Sequence, residues 1–161
     1  MTYTNKNEYL EILVDKYSDM VYRLAMSRTR NKEISEDVYQ EVFLRLAKKC
    51  PDFENENHEK AWLIKVTINC TKNILAGKWL KNTEELTEEL AFSDPEKHDV
   101  YYAVMELPLK YRTIIHLFYY EGYKIEEISK ILHINENTIK SQLSRAREKL
   151  KVKIEGGFGD E

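Results

Sequence analysis

Apolar residues recur along this chain at intervals of three and four, the period of an α-helix rather than a strand. Leu10, Leu13, Tyr17, Val21, Leu24 and Arg28 step in this way and predict an amphipathic first helix. A second helix follows: Asn31 or Ser35 can cap it, Glu33, Glu36 and Asp37 suit the positive end of its dipole, and Val38, Val42, Phe43 and Leu46 give its buried face until Pro51 forbids continuation. Cys50 to His58 read as a polar loop. From Glu59 the series Leu63, Val66, Cys70 and Ile74 restores the helical period to about Gly77, which predicts a helical bundle over 6–81. No alternating strand pattern competes with it.

Residues 82–98 combine acidic clusters, an Asp94-Pro95 pair and little apolar content, the composition of a linker, with room for one short helix over Thr83 to Leu90. Beyond it, Val100, Val104 and Leu107 lead to Pro108, and Tyr111, Ile114, Ile115 and Phe118 predict a helix ending near Gly122. Ile125, Ile128, Ile131 and Leu132 form one further apolar stripe and Ile139, Leu143, Ala146 and Leu150 another, separated only by His133 to Asn137. Two helices joined by so short a turn, with apolar Ile134 inside it, have the form of a helix-turn-helix. A second domain over 99–153 and a flexible, glycine-containing tail over 154–161 complete the chain. The predicted fold class is all-α: two small helical domains joined by an acidic linker.

The second helix of the pair carries the candidate chemistry. Asn135 or Asn137 can cap it, its apolar positions pack inward, and Asn137, Thr138, Lys140, Ser141, Ser144, Arg145, Arg147 and Lys149 remain outside. In DNA readers of this form the first residues of the second helix meet base edges in the major groove, and basic residues further along meet phosphates. Short side chains such as Asn137, Thr138 and Ser141 permit close approach, and Lys140 or Arg145 can reach guanine acceptors or the backbone. On spacing alone, an ordinary helical hairpin with a basic exposed face competes with this reading.

Composition narrows the classes. With 161 residues, 42% of them apolar, the chain can build cores and is not disordered. No uncharged apolar stretch approaches the roughly 20 residues that span a bilayer, and Met1 to Leu13 lacks the apolar segment of a secretory signal, so a cytosolic protein with no direct membrane insertion is expected. Cys50 and Cys70 have no metal-ligand spacing and are expected to be free thiols. Four scattered histidines form no ligand motif and no glycine-rich phosphate loop occurs, so no metal, cofactor, small-molecule substrate or enzymatic reaction is predicted.

The formal charge of −3 argues against a nucleic-acid partner only if it is evenly spread, and it is not. Residues 1–81 hold 14 basic and 12 acidic side chains, 82–98 one basic and six acidic, and 99–161 ten of each. Two windows are locally cationic: 60–81 has five lysines and no acid, and 137–153 has six basic residues against Glu148.

With these motifs in view, the run from Leu107 through Leu150 resembles domain 4 of sigma-70 family factors, particularly the extracytoplasmic-function group that has only domains 2 and 4. The first half agrees independently. Glu36 to Phe43, EDVYQEVF, resembles the family's D-x-x-Q-E-x-F segment of domain 2, and Ala61-Trp62-Leu63 followed by Asn69 resembles its W-L-x-x-I-x-x-N helix. The resemblance covers about Tyr9 to Lys153, interrupted by the acidic linker.

It implies a dissociable promoter-specificity subunit of bacterial RNA polymerase, with core RNA polymerase, through the beta-prime clamp helices and the beta flap, and promoter DNA as partners. Asp37, Gln40 and Glu41 become candidate polymerase contacts with Arg45 beside them, and Phe43 is assigned to core packing. The following helix is expected to engage the minus-10 element and its melted strand through Trp62, Lys65, Asn69, Lys72, Asn73, Lys78 and Trp79, with core packing favoured over stacking for Trp62 and docking of the linker as the alternative for Trp79. Single-strand binding wants a cationic track with flat side chains for unstacked bases, and 60–81 supplies both. Asn137 to Arg147 is expected to read the minus-35 element. The resemblance also implies an inhibitory anti-sigma partner.

Three positions depart from the family pattern. Asn73 and Ala76, followed by Gly77, stand where related sequences often have Asp and Arg, which is expected to shorten that helix; His133 replaces the turn glycine. The alternative function is a helix-turn-helix regulator that is not a polymerase subunit, which leaves Asp37, Gln40 and Glu41 unexplained.

Overall fold

The computed structural model describes residues 5–81 and 99–159, with side chains described over 5–77 and 100–155. Every regular element among them is helical, as the all-α expectation requires. The chain divides into two compact units, 1–83 and 84–161; the expected linker and its short helix lie outside the described residues.

Unit 1 is a three-helix bundle: α1 (Lys6–Thr29), α2 (Lys32–Lys49) and α3 (Glu56–Lys81). Asn5 begins it, its Oδ1 accepting from the Glu8 N–H at 2.8 Å. Arg30, in the left-handed region at φ 55°, ends α1 with its N–H on the Met26 carbonyl. Asn31 rather than Ser35 caps α2, taking the Ile34 N–H at 2.8 Å. Asn55 accepts from the His58 N–H at 2.9 Å, so α3 starts at Glu56, inside the expected loop. It also runs through Gly77 to Lys81. A helical glycine costs about 1 kcal/mol against alanine, too little to end so long a helix, and the expected shortening does not occur.

The bundle core takes Leu13, Tyr17, Val21 and Leu24 from α1, Val38, Val42 and Leu46 from α2, and Leu63, Ile64 and Ile68 from α3. Arg28, placed on the apolar stripe by its spacing, is indeed buried, at 5% exposure. Its Nε donates to Thr71 Oγ1 at 2.6 Å, joining α1 to α3, and burial pushes the guanidinium down to about 10. Next to it in sequence, the Thr29 and Ser35 hydroxyls, both buried, bond at 2.8 Å and join α1 to α2. At the other end of the bundle, the Tyr9 and Tyr17 hydroxyls donate to Glu59 at 3.0 and 2.9 Å, and Lys16 pairs with Glu56 at 3.0 Å.

Unit 2 contains α4 (Asp99–Met105), α5 (Leu109–Ile115), a π-helical turn (His116–Tyr120), α6 (Ile125–Leu132) and α7 (Glu136–Gly159). The sequence predicted one uninterrupted helix to Gly122; the chain instead widens into the π turn, where His116 Nε2 meets Glu121 Oε2 at 3.0 Å and the His116 ring stacks on Tyr120. Gly122 then turns at φ 72°. The Lys124 N–H donates to Glu127 Oε1 at 2.9 Å, opening α6. His133 ends α6 at φ 57°, with its N–H on the Ser129 carbonyl. Asn135, not Asn137, caps the next helix, accepting from the Asn137 N–H at 2.7 Å. Ile128, Ile131, Ile139, Leu143 and Ala146 close this pair over Leu107, Tyr111, Ile114 and Leu117. The helical backbone of α7 continues through 154–159, where the sequence predicted a flexible tail.

Candidate nucleic-acid interface

Three solvent-facing helix surfaces carry the predicted contact residues. On α2, the buried stripe of Val38, Val42 and Leu46 turns Asp37 and Gln40 out to solvent and leaves Glu41 and Arg45 half-exposed. Arg45 Nε donates to Glu41 Oε2 at 2.9 Å one helical turn away, which raises the guanidinium's already high pKa. Such a pair contributes only about 0.3–0.5 kcal/mol to stability, so it shapes the surface more than it holds the fold. Phe43, expected on the buried face, is only half-buried: its ring lies against the Tyr39 ring of the same helix, with centroids 4.9 Å apart, beside the core formed by Val38, Val42 and Leu46. Sequence reasoning missed Leu44, 55% exposed on this same polar face. Its signal was available: a leucine out of phase with the buried stripe, one turn beyond Gln40.

On α3, Leu63, Ile64, Thr67, Ile68, Cys70 and Thr71 are buried, and Lys65, Asn69, Lys72 and Asn73 are all exposed. Trp62, Lys65, Asn69 and Lys72 or Asn73 follow one another at three and four residues, so they share one face. Trp62 is half-buried, and the structure supplies a neighbour that sequence reasoning missed: Phe53, from the connection before α3, meets the Trp62 ring edge-on with centroids 5.8 Å apart. Phe53 also contacts the His58 ring at 5.2 Å. The connection is thus fastened against the start of α3 by three rings. The only acids in the first turns of α3, Glu56 and Glu59, are engaged by Lys16 and the two tyrosines, leaving the exposed track beyond them cationic. The Lys78 and Trp79 side chains lie outside the described residues. Cys50 and Cys70 are free thiols.

On α7, burial of Ile139, Leu143 and Ala146 against the rest of unit 2 leaves Asn137, Thr138, Lys140, Ser141, Ser144 and Arg145 exposed. The first three turns therefore offer short polar side chains between two long cations. Arg147 is also exposed but is not a free arm: its Nε donates to Tyr119 Oη at 2.6 Å, and its guanidinium lies over the Phe118 and Tyr119 rings at 5.4 and 5.6 Å. Tyr119, 54% exposed, was not among the predicted site residues. Among the described residues there is no group of His, Cys, Asp or Glu able to hold a metal ion, and no helix is long and apolar enough to cross a membrane.

Comparison with known proteins places these surfaces in context. The family model described as Sigma-70 region 2 matches residues 13–80, and that described as Sigma-70, region 4 matches 97–150. The RNA polymerase sigma factor SigV of Bacillus subtilis is 30% identical over 156 residues, covering 94% of this chain and 93% of that protein. The ECF RNA polymerase sigma factor SigM of the same organism is 30% identical over 162 residues, covering 94% and 99%. Among solved structures, the sigma factor RpoE in complex with the anti-sigma factor NepR from Bartonella quintana matches with a TM-score of 0.72 at 22% identity, over 90% of this chain and 96% of that one. CnrH in complex with the cytosolic domain of CnrY matches at 0.70 and 17%, over 95% and 92%. At these identities the solved structures support the fold.

Proposed function

The chain belongs to the sigma-70 family, in its extracytoplasmic-function group, and from that premise we propose how its three exposed helix faces divide the work of a polymerase specificity subunit. It is an RNA polymerase sigma factor that binds core polymerase and directs promoter-specific initiation. The α2 face of Asp37, Gln40, Glu41 and Arg45, with exposed Leu44 among them, docks the beta-prime clamp helices. The α3 face engages the minus-10 element and its opened strand, and the first turns of α7 read the minus-35 element. Unit 2 also meets the beta flap.

The observation that supports this reading is that both matched units turn polar residues to solvent on single helix faces, with apolar residues behind them: Asp37 and Gln40 on α2, Lys65, Asn69, Lys72 and Asn73 on α3, and Asn137, Thr138, Lys140, Ser141, Ser144 and Arg145 on α7. Strand opening at α3 needs no nucleotide hydrolysis if binding offsets the few kcal/mol of unstacking for each displaced base; Lys65 and Lys72 supply phosphate contacts and Trp62 a flat surface. A regulator that bound DNA through unit 2 alone would leave the α2 face without a role. The fold likeness to a protein co-crystallised with an anti-sigma factor supports an inhibitory protein partner here as well, and work on core polymerase and promoter DNA puts the protein in the cytoplasm.

The test adds purified protein to core polymerase. Co-elution and promoter-dependent transcripts are expected, and no transcript from a verified target promoter would refute the reading. Asp37→Lys combined with Gln40→Ala should weaken core binding at least about tenfold, as expected for contacts at an interface centre, while leaving the melting temperature and duplex binding unchanged. Wild-type core affinity in that variant would move the docking site elsewhere.

A further inference from the structure

The π turn in unit 2 has no part in the functions assigned above, yet it delivers a side chain to the recognition helix. Tyr119 and Arg147 are 28 residues apart and meet through a 2.6 Å hydrogen bond from Arg147 Nε to the phenol oxygen. The same guanidinium lies over the Phe118 and Tyr119 rings at 5.4 and 5.6 Å. On α7, Arg147 falls seven residues after Lys140 and three after Ser144, so the helical period puts all three on one flank of the helix. Arg147 therefore belongs to the exposed DNA-facing surface by register and to the π turn by contact.

We propose that Tyr119 is a positioning residue for minus-35 recognition: it accepts from Arg147 Nε and holds the guanidinium plane in the orientation in which its outer nitrogens meet a DNA phosphate. This rests on the proposed role of α7 at the minus-35 element. An arginine that must be ordered on binding loses rotamer freedom that one already held has lost. A planar guanidinium keeps further donors for a phosphate after one N–H is committed, so the bond to Tyr119 orients the group without using it up. The flanking Phe118 ring fixes the same plane from the side. The π turn is part of the device. Its five residues close as Glu121 N–H to the His116 carbonyl at 3.1 Å, and within it Leu117 is fully buried and Tyr119 exposed.

The experiment measures binding of the full-length protein, in holoenzyme, to a promoter fragment recovered by the wild-type holoenzyme from a random-sequence duplex library. Tyr119→Phe, Arg147→Ala and the double variant are titrated across a series of salt concentrations. Because the Tyr119 hydroxyl sits on an exposed ring, the phenylalanine variant should fold, and circular dichroism melting verifies it. The expected result is affinity about three- to tenfold weaker for Tyr119→Phe, the span of one ordinary hydrogen bond. The salt slope should fall by about one for each variant that loses the phosphate contact, and the double variant should be no weaker than Arg147→Ala. A merely structural tyrosine would shift melting and leave the salt slope alone. Wild-type affinity and slope in Tyr119→Phe, with Arg147→Ala impaired, would overturn the positioning role and leave the minus-35 reading standing. No effect of Arg147→Ala would also overturn it, and Lys140→Ala and Arg145→Ala in the same assay would then show whether α7 reads that element at all.

Discussion

Thr71→Val tests the buried link between the first and third helices. The substitution keeps side-chain volume and removes one oxygen. In the native protein that oxygen accepts from Arg28 Nε at 2.6 Å and donates to the Ile68 carbonyl at 2.7 Å, and neither residue is reached by water, Thr71 at 0% and Arg28 at 5% exposure. Hydrogen bonds to charged groups contribute about 1.5–3 kcal/mol. The acceptor removed serves a buried guanidinium, which puts the expected destabilisation in the upper part of that range, about 2–3 kcal/mol. For a unit of this size that corresponds to a melting temperature lower by roughly 10–20 °C, at about 4–8 °C per kcal/mol. Thr71→Ser, which keeps the hydroxyl and loses a methyl, should cost only about 1 kcal/mol. The assay is urea unfolding followed by tryptophan fluorescence, which reports unit 1 alone because Trp62 and Trp79 both fall within it. The midpoint should drop at constant slope. A Thr71→Val variant within about 0.5 kcal/mol of wild type, the range of ordinary surface substitutions, would refute the claim that this bond holds Arg28 in the core.

Three further outcomes are expected. Burial and the hydrogen bond to Glu59 push the Tyr17 hydroxyl up to about 12, so the folded state holds that proton more tightly than the unfolded chain. The stability it contributes is present below pH 10 and is lost as pH rises from about 10 to 12; the stability difference between wild type and Tyr17→Phe, measured by urea unfolding, should shrink across that window, and a constant difference would contradict it. His133 holds φ 57° at the turn of the helix-turn-helix, where a residue with a β-carbon is strained by about 1–2 kcal/mol relative to glycine. His133→Gly should therefore raise the melting temperature of unit 2, followed by tyrosine near-ultraviolet circular dichroism, and a lowered one would mean that the imidazole does more than cap. Arg145→Ala should weaken binding to the promoter fragment and reduce the salt slope by about one if the side chain meets phosphate, whereas an unchanged slope in anisotropy titrations would remove it from that role.

The helices were legible because their periodicity and their caps agree. Asn31 is an example: a residue with a short acceptor, three positions ahead of an amide it can take, in front of an apolar stripe. Arg28 shows how far spacing alone carries. Its register correctly placed it inside, but nothing local names Thr71 as the acceptor 43 residues away. The same holds for Tyr119 and Arg147, and for Phe53 on Trp62, whose pairing depends on how a connection folds back. Gly77 does not end α3 because a local propensity cost of about 1 kcal/mol is small beside what the rest of a 26-residue helix contributes. The π turn had no signal at all, since its five residues continue the helical spacing of Tyr111, Ile114 and Ile115. Leu44 is the opposite case: its exposure follows from register, since it lies out of phase with Val38, Val42 and Leu46.

The same distinction between local and summed quantities resolves the chain's charge. Trp62 and Asn73 are eleven residue steps apart, roughly 16 Å of helix axis at the standard rise. Fields at a protein surface decay over about 8 Å at physiological ionic strength, so a phosphate approaching that face is governed by Lys65, Lys72 and their immediate neighbours. A total of −3 averages over many such lengths. What decides the matter is whether an acid stands within one screening length of the exposed face, and here the folded structure adds what composition could not. Glu56 and Glu59, the nearest acids in sequence, are drawn towards Lys16, Tyr9 and Tyr17 of the first helix, while Lys65, Asn69, Lys72 and Asn73 look outward together. The contacts that staple the bundle thus also draw these two acids towards the first helix. Under the proposed function, strand binding by this face should weaken steeply with salt, because each phosphate that a lysine neutralises releases counterions from the strand.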